Sequence, residues 1–220
     1  MRPFFVAALA LLTLAACGDR SLAPGAVQGA LGRVMGQRGQ VAQPDLRKTL
    51  TPGFIAGFEG PLMYAALPAR SVQAGLVPSV RNGSAQQWVT PDGVSVSFDR
   101  GVVTATRGLG GDLMSSDLDD VQSALRSGAI QGERVHRYLN QENQLVVRAF
   151  ICEYVHTSGG AAQTLVGQIP ALFVAEICFD STGEQFDNEF WVDAAGRVRK
   201  SKQWLGPFIG YLETELLKVQ

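Results

Sequence analysis

The sequence has few of the side chains that build metal centres. It contains two histidines, His136 and His156, and three cysteines in 220 residues. No histidine or third cysteine lies at metal-ligand spacing around Cys152 and Cys178, which argues against a zinc site. The two histidines fall on separate strand-like segments, so we assign both a structural role. The sequence therefore predicts no bound metal and no cofactor.

Common catalytic motifs are also absent. The chain has no Gly-x-Ser-x-Gly elbow, no Walker loop and no His-Glu-x-x-His. The glycine-rich stretch from Arg107 to Gly111 lacks the glycine spacing of a dinucleotide loop and follows a series of hairpins, so it indicates a tight backbone crossing. We expect a protein that is not an enzyme. A polysaccharide-modifying enzyme with two opposed carboxylates remains the alternative.

The chain has no excess of charge of either sign. Nineteen Lys and Arg residues face twenty Asp and Glu residues, which gives a formal net charge of −1. This balance argues against nucleic acid as a partner, because binding to phosphates requires clustered positive charge. After the N-terminal apolar run, no stretch is long and apolar enough to span a bilayer.

The N-terminus has the layout of an export signal. Arg2 supplies positive charge, residues 4–14 are uncharged and mostly apolar, and Leu14-Ala15-Ala16-Cys17 matches a bacterial lipobox. This match implies cleavage before Cys17 and lipidation of its thiol, whereas an ordinary signal with an incidental cysteine is the alternative. Gly18, rather than aspartate, follows the cysteine, which favours the outer membrane. The expected location is lipid-anchored in the outer membrane and facing the periplasm.

Three segments follow from this interpretation. Residues 1–16 form the signal peptide, residues 17–50 the lipidated cysteine and a flexible tether, and residues 51–220 a β-rich periplasmic domain. The tether is rich in Gly, Ala and Gln, and its loosely helix-spaced apolar residues are interrupted by glycine. The membrane, reached through the lipid anchor, is thus the first expected partner.

The remaining two cysteines form an even pair in an oxidising compartment. With Cys17 used for lipid, Cys152 and Cys178 lie in strand-like runs that neighbouring antiparallel strands could bring together. We predict a disulfide between them. Two free buried thiols are the alternative.

Short apolar runs separated by turn residues predict many β-strands. The clearest are residues 87–90, 94–98 and 102–106, which alternate with a period of two and are joined by glycine-containing turns. We predict a β-meander here, and further strands at residues 54–66, 71–80, 134–139, 144–157, 163–167, 172–180, 185–193 and 197–205.

Two helices are expected beside these strands. The first is capped by Ser115 or Ser116 and ends at Gly128, and the second starts at Pro207. The predicted fold class is mainly β: an antiparallel barrel-like or strongly bent sheet with one internal helix and a C-terminal helix.

Three motifs resemble the YjbF/GfcB family of lipoproteins from group 4 capsule and exopolysaccharide loci. They are Thr106-Arg107-Gly108-Leu109-Gly110-Gly111-Asp112-Leu113, the cysteine pair, and Trp191-x₄-Gly196-Arg197-x₂-Lys200-Ser201-x-Gln203-Trp204-x-Gly206-Pro207. The resemblance runs from about Phe54 to Leu217. It implies a barrel-like periplasmic domain on the outer membrane with a role in polysaccharide production or export, and polysaccharide or export proteins as partners. The resemblance assigns no catalytic residues to this chain.

The same residues suggest a binding groove. Aromatic faces stack on sugar rings, and amides and cations bind hydroxyls and acidic sugars. We therefore take Arg107, Trp191, Lys200, Gln203 and Trp204 as candidate binding residues for a glycan or an export partner. The alternative is that the tryptophans are core and the polar residues are hydrogen-bonded within the fold. An envelope scaffold that holds a partner protein is a further functional alternative.

Overall fold

The computed structural model describes residues 45–140 and 142–219. The expected signal peptide, Cys17 and most of the expected tether lie outside these residues. The chain begins with two short helices, α1 (Leu46–Thr49) and α2 (Pro52–Gly57). Thr51 caps α2 by accepting a hydrogen bond from the backbone N–H of Phe54. None of the helices in the described ranges has the length and hydropathy needed to cross a membrane.

Twelve strands and one further helix follow. The strands are β1 (Leu62–Leu67), β2 (Val72–Asn82), β3 (Ala85–Val89), β4 (Ser95–Asp99), β5 (Val102–Arg107), β6 (Leu113–Ser116), β7 (Gln131–Leu139), β8 (Leu145–Thr164), β9 (Gly167–Phe179), β10 (Gln185–Val192), β11 (Val198–Trp204) and β12 (Tyr211–Lys218). Helix α3 (Asp119–Ser127) lies between β6 and β7, and a short 3₁₀ turn (Pro68–Arg70) joins β1 to β2.

All strands belong to one antiparallel sheet that is nearly closed into a barrel. Its order is β5-β4-β3-β2-β1-β12-β11-β10-β9-β8-β7-β6, so strands that are consecutive in sequence are neighbours and β1 pairs with β12. The two end strands approach each other, and Leu113 N donates to Thr106 Oγ1 across the gap. The mainly β, barrel-like prediction is confirmed.

The side chains that point into the barrel form the main core. Buried aromatic residues Phe150, Phe186, Phe190 and Trp204 pack there with aliphatic residues from nearly every strand. A second, smaller cluster lies outside β1 and β12, where Leu50 and Ile55 of the N-terminal segment cover Leu62, Tyr64 and Leu217. Strand β1 is therefore buried on both faces, which is why all six of its residues are shielded from solvent.

The predicted C-terminal helix is wrong. Pro207 to Ile209 form a turn, and the residues that follow are strand β12, which pairs with both β1 and β11. Leu212 packs in the barrel, whereas Leu217 packs on the outside beneath the N-terminal helices. A strand with apolar residues on both faces has no alternation of apolar and polar residues. The leucines and glutamates of β12 are then typical of a helix in sequence.

Other elements also differ from prediction. Residues 163–167, predicted as a separate strand, contain the end of β8, a turn and the start of β9. Ser115 and Ser116 belong to β6 and do not cap the internal helix, which starts at Asp119 after Leu118. Its predicted end is confirmed: Gly128 has the positive φ that terminates α3. The predicted strand over residues 54–66 is divided between α2 and β1.

Residues 45–50, which the sequence assigned to the tether, contact the sheet. Leu46 N donates to Gln73 Oε1 at 2.9 Å, and Arg47 binds the buried Glu215 carboxylate at 2.6 Å. The Arg47 guanidinium also lies 4.4 Å from the centre of the Tyr64 ring. Burial opposes the charge of Arg47, but the contacts with Glu215 outweigh it and raise the pKa of the guanidinium.

Candidate functional site on the outer face of the barrel

Two of the five predicted binding residues meet on the outer face of the barrel. Trp191 on β10 is directly opposite Lys200 on β11, and the ammonium nitrogen of Lys200 lies 5.2 Å from the centre of the Trp191 ring. Phe173 on β9 is paired with Trp191 on its other side, with 5.0 Å between ring centres. We call Phe173, Trp191 and Lys200 the Trp191 face. All three side chains are half-buried.

The hairpin of β8 and β9 forms a wall beside this face. The pairing of the two strands is irregular between Thr157 and Gly160, where Gly159 adopts a φ of 77°. Beyond this point the hairpin reaches β11 and β12: Lys200 Nζ donates to the Gln163 carbonyl at 3.2 Å, and Leu165 N donates to Glu215 at 2.8 Å. The hairpin arm, residues 158–169, thus borders the Trp191 face on one side.

The turn between β10 and β11 is held by Asp193. Its carboxylate accepts hydrogen bonds from the backbone N–H groups of Ala195 and Arg197 and pairs with the Arg197 guanidinium at 3.0 Å. Burial alone would raise the pKa of Asp193, but the hydrogen bonds from Arg197 and Ala195 hold the pKa below its usual value. This ionised turn fixes the register that places Lys200 over Trp191.

The charge on the face belongs mainly to Lys200. Within the described residues, its ammonium makes no salt bridge and has one hydrogen bond, to the Gln163 carbonyl. Lys202, two residues further on the same side of β11, lies 4.4 Å from the Tyr211 ring centre and 3.9 Å from Glu189. Strand β11 therefore places two lysines over aromatic rings. Of these two, Lys202 has an acidic partner, whereas Lys200 has none among the described residues.

Gln203 and Trp204 lie inside the barrel and do not join the Trp191 face. Gln203 Oε1 accepts from Val103 N at 2.8 Å, and its amide nitrogen donates to the Gly101 carbonyl and Ser201 Oγ. Trp204 stacks on Phe186 with 4.8 Å between ring centres. Gln203 thus links β11 to the β4–β5 turn, and Trp204 is part of the core.

Arg107 is exposed at the end of β5 and binds the carbonyls of Thr106 and Leu113. The neighbouring glycine loop is closed by Asp112, whose carboxylate accepts from Gly108 N at 3.0 Å and Leu109 N at 3.1 Å. These amides are therefore already satisfied by an anion of the chain itself. A Cβ on Gly111 would lie 2.9 Å from Phe208, as expected for a tight crossing.

The cysteines face each other across β8 and β9. Cys152 and Cys178 are directly paired in the strand register and joined by a disulfide, with 4.1 Å between their Cα atoms. Glu176 lies close enough to complete a three-residue group of metal-ligand types. Because the two sulfurs are bonded to each other, they do not provide the thiolates that a metal ion would need.

A polar network crosses the barrel interior beside the disulfide. Glu176 accepts from Asn188 Nδ2 at 2.6 Å and from Tyr154 OH at 3.2 Å, and the guanidinium of Arg134 lies 3.5 Å away. Asn188 Oδ1 in turn accepts from Trp204 N. The sequence analysis did not single out four of these residues, which are Arg134, Tyr154, Glu176 and Asn188. They stand on four separate strands, and only strand pairing brings them together.

The fold defines the chain as an up-and-down, barrel-like antiparallel β domain. Its sequence matches the family described as "Group 4 capsule polysaccharide lipoprotein gfcB, YjbF" over residues 37–217, and the chain belongs to this family. The predicted resemblance is confirmed. Membership implies an accessory role in capsule or exopolysaccharide production.

The fold has a counterpart among solved structures. It is similar to the crystal structure of the hypothetical lipoprotein YmcC from Escherichia coli (K12), with a TM-score of 0.67 and 20% sequence identity. The likeness covers 92% of this chain and 98% of that chain. No curated protein matches the sequence.

Proposed function

We propose that this protein is a lipid-anchored accessory factor in exopolysaccharide or capsule production, which binds a glycan on the Trp191 face and catalyses no reaction. Cys17 carries the anchor, and the domain faces the periplasm from the outer membrane. Family membership supports the polysaccharide role, and the lipobox supports the anchor.

The observation that carries the proposal is the contact between Trp191 and Lys200. A half-buried aromatic ring offers a flat apolar surface on which the C–H faces of a sugar can stack. The ammonium at 5.2 Å from the ring centre lies where it can donate to hydroxyls or pair with an acidic sugar. The three side chains of the Trp191 face lie side by side on three neighbouring strands, and such a row suits an extended glycan better than a free monosaccharide.

The hydrogen bonding of the buried carboxylates supports binding rather than hydrolysis. Glycosidases need one carboxyl group that can release a proton and another that can attack or activate water. Glu176 accepts hydrogen bonds from Asn188 and Tyr154, and Glu215 from Arg47 and Leu165 N. Both carboxylates are thus occupied by structural partners.

Deletion and complementation test the proposal. A strain without this protein should secrete less exopolysaccharide, and the wild-type gene should restore secretion. A gene for Trp191→Ala/Lys200→Ala should fail to restore it although the protein accumulates normally. Arg137→Ala, at an exposed ion pair on another strand, is the matched control and should restore secretion. Normal secretion in the deletion strain would refute the polysaccharide role.

A second candidate function is to hold a protein of the export machinery. The outward-facing side chains of β8 include Leu145, Val147, Ile151 and Val155, each at least half exposed, and Phe179 lies opposite Ile151. Contiguous exposed apolar residues of this kind mark protein interfaces. A photo-crosslinking residue at Val147 should then capture an export protein, whereas one at exposed Asn82, on the distant strand β2, should not. Equal capture from both positions would argue against this interface.

A further inference from the structure

An apolar opening in the barrel wall shares no lining residue with the Trp191 face. It is a cavity of about 690 Å³, lined by α1, α2, β1, the first half of β2 and the β3–β4 turn. It exists because of an incomplete pairing. Residues 72–76 of β2 bind β1 on one side, but the pairing with β3 begins only at Val77. The open edge leaves a gap in the barrel wall, of a size typical of ligand pockets.

The side chains of the lining offer almost no polar groups to a ligand. Of its described residues only Gln73, Thr90 and Asp92 have polar side chains. The Gln73 amide oxygen is already bound to Leu46 N, and the Thr90 hydroxyl is bound to the Asp92 carboxylate. A sugar placed in this cavity would lose most of its hydrogen bonds to water and find few side-chain partners in return, which disfavours it.

Apolar side chains remain exposed at the rim. Phe54, Val72 and Val77 line the cavity and are 49%, 37% and 37% exposed. Further in, Leu76 and Val96 are almost fully buried, so the apolar surface continues from solvent into the wall of the core. An apolar ligand that entered would cover surface that is costly to leave in water.

We propose that this cavity binds one acyl chain of a membrane lipid. A long hydrocarbon chain matches the low polarity and the size of this lining. Asp92, exposed at the β3–β4 turn, would repel the carboxylate of a free fatty acid, whereas an ester- or amide-linked chain has no free carboxylate. The inference goes beyond the proposed polysaccharide role and does not depend on it. It uses only the expectation that the domain works at a lipid surface.

The test is lipid binding by the mature chain, residues 17–220, with Cys17→Ser, so that neither the apolar export signal nor an attached acyl chain contributes to binding. A phosphatidylcholine with one pyrene-labelled acyl chain is titrated, and saturable pyrene emission is expected. Phe54→Glu, at the exposed rim, should weaken binding about ten-fold, because it places a charge against the chain. Ala74→Trp, which fills the cavity, should abolish it. Ala194→Trp, at an exposed position in the β10–β11 turn, is the matched control and should bind as the parent does.

Two results would overturn the inference. One is the absence of saturable emission with the folded parent chain. The other is equal affinity of the parent and the Phe54→Glu protein, which should fold because the side chain is exposed. Pyrene-labelled free fatty acid distinguishes an esterified chain from a free fatty acid as the ligand. If the free fatty acid binds more weakly than the phospholipid, the esterified chain is supported. If it binds more strongly, the role given to Asp92 is contradicted. Loss of lipid binding with normal exopolysaccharide secretion would leave the glycan proposal intact.

Discussion

The Glu176 carboxylate and the Arg134 guanidinium form an ion pair inside the barrel, with 3.5 Å between Oε1 and Nε and with 0% and 2% of the side chains exposed. Asn188 and Tyr154 donate further hydrogen bonds to the same carboxylate. The interior of this barrel is therefore a core with a polar centre. Such a pair adds little stability compared with apolar residues, but removing one partner leaves a buried charge.

Glu176→Leu should destabilise the protein by about 3–5 kcal/mol, because Arg134 would remain charged and unpaired in the interior. Chemical denaturation measures the free energy of unfolding. The double variant Glu176→Leu/Arg134→Met should recover much of the loss. Arg137→Ala breaks the exposed pair with Asp117 and should cost no more than about 1 kcal/mol. Equal effects of Glu176→Leu and Arg137→Ala would contradict the polar centre.

The Cys152–Cys178 disulfide should be present in protein isolated under non-reducing conditions. It closes a loop of 26 residues in sequence separation. On the chain-entropy estimate its loss in Cys152→Ala/Cys178→Ala should lower the free energy of unfolding by about 3.5 kcal/mol. Mass spectrometry of the non-reduced protein should give a mass that corresponds to one bond. Two alkylatable thiols in native protein would show that the pair is reduced.

His136 should make the fold sensitive to mild acid. Burial, with a contribution from the charge of Arg134, holds the pKa of His136 well below its usual value, so the folded protein keeps it neutral. The unfolded chain binds a proton below its ordinary pKa of about 6.5, which favours unfolding as the pH falls. The stability that the fold gains from keeping His136 neutral is therefore complete above the ordinary pKa of about 6.5 and is lost progressively as the pH falls below it.

The His136→Phe variant, which keeps an aromatic ring beside Phe186, should lose this dependence. Between pH 6.5 and 5 the wild type should lose up to about 1.4 kcal/mol per pH unit more than the variant. Denaturation at a series of pH values measures the difference. Parallel stability curves for the two proteins would mean that the pKa of His136 is the same in the folded and unfolded states.

Gln203 should matter for folding and not for ligand binding. Gln203→Leu leaves Val103 N and the Gly101 carbonyl without their partner in the interior, which should cost about 1–3 kcal/mol. Thermal unfolding measures the cost. The folded variant should bind glycan as the wild type does, because the side chain points away from the Trp191 face. If Gln203→Leu lost glycan binding but kept its stability, Gln203 would be part of the glycan-binding site.

Strand alternation and turn residues predicted most of the sheet. The β3–β4–β5 meander is found where the period-two pattern and the glycine turns place it. The same reasoning failed at β12, because Leu212 and Leu217 are buried on opposite faces and leave no single apolar side. Local pattern cannot show which strands will be covered twice, since that depends on where the N-terminal helices pack.

The candidate site, like the sheet, could be predicted from the sequence only in part. Lys200 and Gln203 are three residues apart, so a period of two already places them on opposite faces of β11. The sequence grouped them because they are close along the chain. The contact of Lys200 with Trp191, and the addition of Phe173 and Gln163, depend on the register of four strands and the path of the hairpin arm. No local pattern encodes these relations.

Tryptophan fluorescence tests the central claim most directly. Trp88 and Trp204 are buried, at 8% and 9% exposure, and Trp191 is the half-buried one of the three tryptophans. Exopolysaccharide from the producing strain is titrated into the full chain with Cys17→Ser. A saturable change in emission is predicted, and it should persist in Trp204→Phe, vanish in Trp191→Phe and weaken in Lys200→Ala. No change in the parent chain, or an equal change in Trp191→Phe, would contradict a glycan site on this face.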